Sequence, residues 1–305
     1  MRVDLKKLPF EVIIERGDEV MAKCPFHDDN NPSFSANLKK GVYYCFACGA
    51  KGRISEFGLE KERDITFDDF QDLGLLLTPD DSAIEQVFPL PKEYRPIDSH
   101  SDRYMAYLHN RGIISKVIEK FHIGYCNDGD YAGRIVVPMK YGFCARSIYS
   151  EKIGFLMYGK QFRKYLFPLG LPKSFMIFNC DRKVNTLIIT EGVFDVLKLA
   201  SLGFNNTVAI LGSRLSPWQT HLICETGARE IFVMLDSDEA GNTGMQEIVM
   251  ELVSKFSNIY IVRLPSEKDP GDMDNSKEIV KLLSEAKKNN KATGFISSMY
   301  DSMET

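Results

Sequence analysis

Leu187-Ile188-Ile189-Thr190 followed by Glu191-Gly192, and Ile231-Phe232-Val233-Met234-Leu235 followed by Asp236-Ser237-Asp238-Glu239-Ala240-Gly241, decide how this chain folds. Each is a short apolar run rich in β-branched residues and closed by acids and glycine, which predicts a strand ending in a turn. Between them, Val193, Val196, Leu197 and Ala200 recur at helical spacing. Val208-Ala209-Ile210-Leu211 forms another short run closed by Gly212, and Pro217-Trp218 suits the first turn of a helix. A helix from about Asn242 to Phe256 and a fourth strand over 259–264 complete the series. Strand–helix alternation with short connections predicts a parallel sheet covered on both faces by helices.

This pattern places the carboxylates. Glu191 ends the first strand, Asp236 and Asp238 end the third, and Asp269 and Asp272 follow the fourth. Ligands of open α/β sheets bind beyond the carboxyl ends of the strands, so the acids are expected along one edge. Like charges held that close raise one another's pKa unless a cation or proton is shared. Oxygen ligands of this kind suit Mg2+ or Mn2+, which keep waters for phosphate oxygens. Capping of the next helix explains acids after one strand; acids after three strand ends favour a metal.

Glu191-Gly192-Val193-Phe194-Asp195, Asp236-Ser237-Asp238-Glu239-Ala240-Gly241 and Lys268-Asp269-Pro270-Gly271-Asp272 resemble the signature of the Toprim domain, the catalytic domain of DnaG-type primases, topoisomerases and some nucleases. The resemblance implies that Glu191, Asp236, Asp238 and Asp269 are catalytic and hold magnesium, with Asp272 as a further ligand. The Lys-Asp-Pro element is the part that points to primases. Here a glycine, Gly271, stands between the proline and the next aspartate.

Hydrophobic residues make up 44% of the 305 and charged residues 26%, as in a water-soluble globular protein, and no apolar run approaches a membrane span. Seven cysteines, an odd number without a secretion signal, predict thiols and metal ligands in a reducing compartment, the cytoplasm. Four of the ligands stand together: Cys24-Pro25-Phe26-His27 and Cys45-Phe46-Ala47-Cys48 are two pairs, with room for a hairpin between them. Three thiolates and an imidazole at this spacing predict a closed tetrahedral zinc site that is structural. Pro32-Ser33-Phe34-Ser35 and Val42-Tyr43-Tyr44 read as paired strands turned by Lys39-Lys40-Gly41.

Together with Tyr44-Cys45-Phe46-Ala47-Cys48-Gly49, these residues resemble the CHC2 zinc-binding domain of DnaG-type primases. In that family the domain reads the single-stranded template. Phe34, Tyr43, Tyr44 and Phe46, with Lys39, Lys40, Lys51 and Arg53, either offer stacking faces and phosphate contacts to it or build the small core beside the zinc.

The expected organisation is a β-rich zinc domain over 1–58, a linker with short helices over 59–100, and a basic α+β subdomain over 101–184. The Toprim subdomain follows over 185–275, then a helix and tail over 276–305. The fold class is thus α/β, a small zinc domain ahead of a two-part polymerase core. Between Arg134 and Lys183 ten Lys or Arg face two acids, Glu151 and Asp181, in a chain of net charge −4, and aromatics are interleaved with them. A run of charge is commonly only a solvated face; beside a carboxylate site it reads as a phosphate-holding wall.

Arg111-Gly112, Phe121-His122-Ile123-Gly124-Tyr125, Gly133-Arg134-Ile135-Val136-Val137-Pro138 and Lys164-Tyr165-Leu166 resemble the amino-terminal half of the DnaG polymerase core. The resemblance implies that Arg134, Arg146 and Lys164 hold template and nucleotide. The family's Gly-Gly-Arg is Cys144-Ala145-Arg146 here. The whole implies a DNA primase making RNA primers on single-stranded DNA from ribonucleoside triphosphates. It would be a compact phage- or plasmid-like version without the helicase-docking domain, working beside a separate replicative helicase. A RecR-like binding factor and a Toprim nuclease are the alternatives.

Overall fold

The computed structural model describes residues 10–16, 19–29, 32–38, 41–45, 48, 50–57, 87–98, 101–158, 163–180, 182–237, 239–265 and 268–289. The linker helices expected within 59–86, Asp238, Lys39, Lys40, Phe46 and the tail from 290 lie outside them.

The first unit is an antiparallel meander of β1 (Val12–Arg16), β2 (Glu19–Ala22), β3 (Phe34–Asn37), β4 (Val42–Cys45) and β5 (Lys51–Arg53), in that spatial order, closed by a 3-10 turn at Ile54–Phe57. Gly41 takes φ 75° between β3 and β4, a conformation that costs glycine little. So small a domain has few residues for a core, and it uses aromatics. Phe34 (0% exposed) and Tyr43 (3%) stack at 5.0 Å inside the sheet, with Phe10 and Phe57 against them. These two rings are therefore core and do not offer stacking faces to a template. Tyr44 packs instead against Met21, Phe175 and Trp218, where the zinc domain meets the rest of the chain.

The second unit comprises β6 (Arg95–Pro96), α1 (Asp102–Asn110), α2 (Ser115–Lys120), β7 (Gly124–Cys126), β8 (Arg134–Met139), β9 (Gly142–Ser147), α3 (Glu151–Tyr158) and β10 (Tyr165–Leu166). Its antiparallel sheet has the order β10-β9-β8-β7-β6. Pro96 sits in the edge strand β6, paired with Gly124, where a missing N–H leaves no ladder bond unmade. The sheet thus recruits residues 95–96, which the sequence assigns to the linker.

The third unit runs β11 (Thr186–Thr190), α4 (Val193–Ser201), β12 (Thr207–Ala209), α5 (Pro217–Glu225), β13 (Glu230–Val233), α6 (Glu239–Leu252), β14 (Ile259–Ile261), α7 (Ser276–Asn289). The four strands are parallel, in the order β12-β11-β13-β14. Alternation divides them between two apolar layers. Leu187, Ile189, Ile231 and Val233 pack with Ile223, Ile248 and Val249 on one face, while Ile188, Phe232 and Tyr260 pack with Leu199 and Ile279 on the other. Covering helices on both faces are what near-continuous apolar strands require. Phe194 and Leu197 of α4 also enter the core of the second unit with Tyr104, Leu108, Ile135 and Val137, so the two units share one apolar interior.

Among the described residues no helix is long and apolar enough to cross a membrane.

Gln219, 2% exposed, ties these units together. Its Nε2 donates to the carbonyls of Lys173 (3.2 Å), Met176 (2.9 Å) and Ile210 (2.7 Å), and its Oε1 accepts from the Ser216 amide at 3.0 Å. Gln219→Ala would strand several buried polar groups, and we expect a loss of about 2–3 kcal/mol in urea unfolding. Gln219→Glu, which keeps the shape but cannot donate, is expected to be at least as destabilising.

Candidate metal centres and the cations beside them

Cys24 and His27 follow β2, Cys45 ends β4, and Cys48 lies three residues on. Their ligand atoms all fall within 4.8 Å of one another. Cys24 Sγ is 3.8 Å from Cys48 Sγ, and Cys45 Sγ is 3.9 Å from His27 Nδ1. Tetrahedral zinc with Zn–S bonds of about 2.3 Å needs sulfurs roughly 3.8 Å apart, so the four residues fit it. The amides of Phe26 and Cys48 point at Cys24 Sγ and Cys45 Sγ, at 3.4 and 3.5 Å. Burial pushes the Cys24 thiol well above its ordinary range, so a thiolate there requires a compensating cation.

Asp29 organises this site from outside the ligand set. Its Oδ2 accepts from the amides of Cys24 (2.9 Å) and Ser33 (3.1 Å) and from the Ser33 hydroxyl (2.7 Å), joining both flanks of the loop. Its Oδ1 lies 3.9 Å from His27 Nε2, the nitrogen remote from the sulfurs. Outer carboxylates commonly stand on this side of a ligating histidine. The only sequence sign of this role is the position of Asp29 two residues after the first ligand pair.

The second cluster forms at the carboxyl end of the parallel sheet. Glu191 lies one residue past β11, and its carbonyl accepts from the Leu211 amide at 3.0 Å, carrying the ladder towards β12. Asp236 follows β13, and a Cβ on Gly241 would stand 2.2 Å from its carbonyl oxygen. The Asp-x-Asp loop can therefore fold back only onto glycine. Ser237 then stitches this loop to the one after β14: its amide donates to the Lys268 carbonyl (3.2 Å), and its Oγ accepts from the Lys268 amide (3.0 Å). This bond pair carries Asp269 towards Asp236.

A further acid completes the cluster. Asp195, in the first turn of α4 and 9% exposed, accepts from the Gly192 amide at 2.9 Å through Oδ2. A Cβ on Gly271 would meet Asp269 Oδ1 at 2.9 Å and Asp195 Oδ1 at 3.1 Å, so both oxygens crowd the same spot. Burial, then the charges of Asp269 and Asp236, push the Asp195 carboxyl up to about 8; the Gly192 amide and Arg146 pull the other way. Sequence reasoning left Asp195 out of the site although it closes the Glu-Gly-x-x-Asp motif, because its position also suits the polar first turn of a helix.

Asp269 Oδ1 is buried and meets no hydrogen-bond donor among the described residues. Crowded oxygens, one of them without a donor and a neighbour of raised pKa, fit a hard divalent cation. Asp272 is exposed, and its carboxylate accepts from the Asp269 amide at 3.3 Å, capping the 3-10 turn Pro270–Asp272.

The three basic residues expected at the site differ in setting. Arg146, 5% exposed, donates from Nε to Tyr107 Oη (2.7 Å) and from Nη1 to Tyr165 Oη, and its guanidinium lies 4.7 Å from the Phe194 ring. Phe194 adjoins Asp195, so Arg146 is held rigidly beside the acids. Arg134 is only 1% exposed; its Nη1 reaches the Lys164 carbonyl at 3.5 Å. Burial pushes its guanidinium down to about 10, still cationic at neutral pH. It supports the Lys164 backbone from below and does not line an open groove. Lys164 itself is exposed. A cleft of about 480 Å³ lies beside it, between His27 and Asp29 of the zinc domain and Arg163, Lys173 and Arg214 of the core.

Residues 10–73 match the CHC2 zinc finger family, and residues 188–274 match a Toprim-like family. DNA primases of Chlamydia pneumoniae and Helicobacter pylori strain J99 are 25% and 26% identical, over 83% and 92% of this chain but 52% and 57% of their own lengths. The chain thus spans little more than half of these curated relatives. The crystal structure of the Aquifex aeolicus primase (zinc-binding and RNA polymerase domains) aligns with a TM-score of 0.52 at 21% identity, covering 90% of this chain and 80% of that one. A DnaG primase catalytic domain bound to single-stranded DNA aligns at 0.56 and 18%, covering 66% and 76%.

Purified protein is expected to carry about one zinc per chain by elemental analysis. Cys45→Ser should lose it, while Asp29→Asn should keep it but release it to a chelator about tenfold faster or more. Equal release from the two proteins would remove Asp29 from the zinc shell.

Proposed function

We propose that this chain is a DnaG-type primase that synthesises short RNA primers on single-stranded DNA by nucleotidyl transfer. The observation that supports the reading is the closeness of Asp195, Asp236 and Asp269 at the sheet edge where Glu191 follows β11, with Arg146 held beside them and a zinc finger in the same chain.

Glu191, Asp236 and Asp269, with Asp238 between them in sequence, would hold Mg2+ or Mn2+. A divalent cation bound there supplies charge neutralisation for a triphosphate and a lower pKa for a primer hydroxyl. The protein's own groups supply the rest. Asp195 backs the ligand carboxylates as a buried acid, its Oδ2 occupied by the Gly192 amide, so that its Oδ1 faces Asp269. Arg146 cannot swing away from its two tyrosines, and a fixed cation stabilises developing phosphate charge without reorganising. Lys164 is exposed on a backbone braced by Arg134 and meets phosphate as a mobile point charge. The cleft between the zinc domain and Arg163, Lys173 and Arg214 suits the passage of a single strand, whose phosphates need cations and whose bases tolerate the Tyr165 and Phe167 rings. A replicative helicase acting beside the chain, and work in the bacterial or phage-infected cytoplasm, follow from the same reading.

Two variants test it. On mixed-sequence single-stranded DNA with four ribonucleoside triphosphates and Mg2+, the wild type should make short RNAs and Asp236→Ala none, with zinc content and template binding retained. RNA from the variant would rule out the metal assignment, and degradation of the template would indicate a nuclease. Lys164→Ala should raise the nucleotide KM about tenfold with kcat changed less; an unchanged KM removes it from the site.

A further inference from the structure

A second groove, of about 470 Å³, belongs to neither metal centre. It lies between the residues that follow α2, the turn from β8 to β9, the chain from Phe175 to Cys180, and α5. Its walls are apolar: Phe121 and Phe178 pack at 5.3 Å, and Met139, Met176, Trp218 and Leu222 continue the surface. Its rim is cationic. Lys120 Nζ stands 5.0 Å over the Phe121 ring and donates one of its three protons to Asn205 Oδ1 at 2.8 Å, and Lys140 Nζ stands 5.1 Å over the Tyr141 ring. No lining residue is acidic, although the chain as a whole carries a net charge of −4.

We propose that this groove docks a partner peptide in which a bulky apolar side chain adjoins carboxylates. The charge pattern selects such a ligand: the apolar side chain displaces water from the aromatic walls, and the carboxylates meet Lys120 and Lys140 at the rim. The volume holds one or two large side chains. A nucleotide would bring the same negative charge, but its base needs polar groups to read. The side-chain amide of the groove is already spent, since Asn179 Nδ2 donates to the carbonyls of Asn205 (3.2 Å) and Thr207 (2.7 Å) and its Oδ1 accepts from Arg182 (3.0 Å). The inference is independent of the polymerase reading, because no residue of the acidic edge takes part.

The chain supplies its own probe. Trp218 is its single tryptophan and lines the groove. The zinc-loaded full chain is titrated with a synthetic peptide of four aspartates ending in phenylalanine, read by Trp218 emission and by anisotropy of a fluorescein-labelled copy. We expect saturable binding that weakens about tenfold when the phenylalanine becomes alanine, and about as much in the Lys120→Glu, Lys140→Glu double variant. Both lysines are exposed, so that variant should fold; Leu222→Arg, which fills the groove, provides a second block. Equal binding of the alanine peptide, equal binding by the double variant, or tighter binding of AMP at Trp218 would each overturn the proposal.

Discussion

Mutual repulsion among carboxylates is the constraint around which this molecule is built. Parallel strands joined by helices deliver every strand end to the same edge, and here acids follow three of the four. Left alone, the cluster opposes its own folding: burial first, and the charges of Asp269 and Asp236 after it, push the Asp195 carboxyl up to about 8. The surrounding structure works against it: two apolar layers clamp the sheet, Gly241 lets the Asp236 loop close, Ser237 ties that loop to Lys268, and Arg146 stands behind as a counter-charge. Such a site is assembled at a cost to stability that a bound cation would relieve.

The two metal centres solve different problems. The zinc domain is too small to fold on burial alone, so four ligands and a ring stack replace the missing core. The acidic edge belongs to a well-packed unit that does not need an ion to hold its core together. Asp29 and Asp195 play parallel parts at these centres. Each is a carboxylate fastened to backbone amides beside residues that would hold an ion.

Much of this was legible in the sequence because it depends on local periodicity and spacing. The β-branched runs closed by acids gave away the parallel strands, and the two ligand pairs gave away the zinc site. What escaped depends on tertiary cover. Arg134 reads as one more cation in a basic run, yet Tyr149 and Tyr158 close over the neighbouring Gly133 and the guanidinium is buried. Phe34 and Tyr43 read equally well as stacking platforms or core, and the size of the domain decides for core. Asp272, which the resemblance implies as a further ligand, accepts from the Asp269 amide and caps its own turn, while the Gly271 before it stands where the Asp195 and Asp269 oxygens crowd together.

The junction at Met21, Phe175 and Trp218 couples parts of the molecule that share no other chemistry. Met21 belongs to the zinc domain, whereas Phe175 and Trp218 also line the second groove. Seating of the zinc domain and occupancy of the groove therefore draw on the same two rings. By thermodynamic reciprocity, whatever shifts one equilibrium shifts the other by an equal free energy. The posture of the zinc domain is in this sense a variable that occupancy of the groove can set.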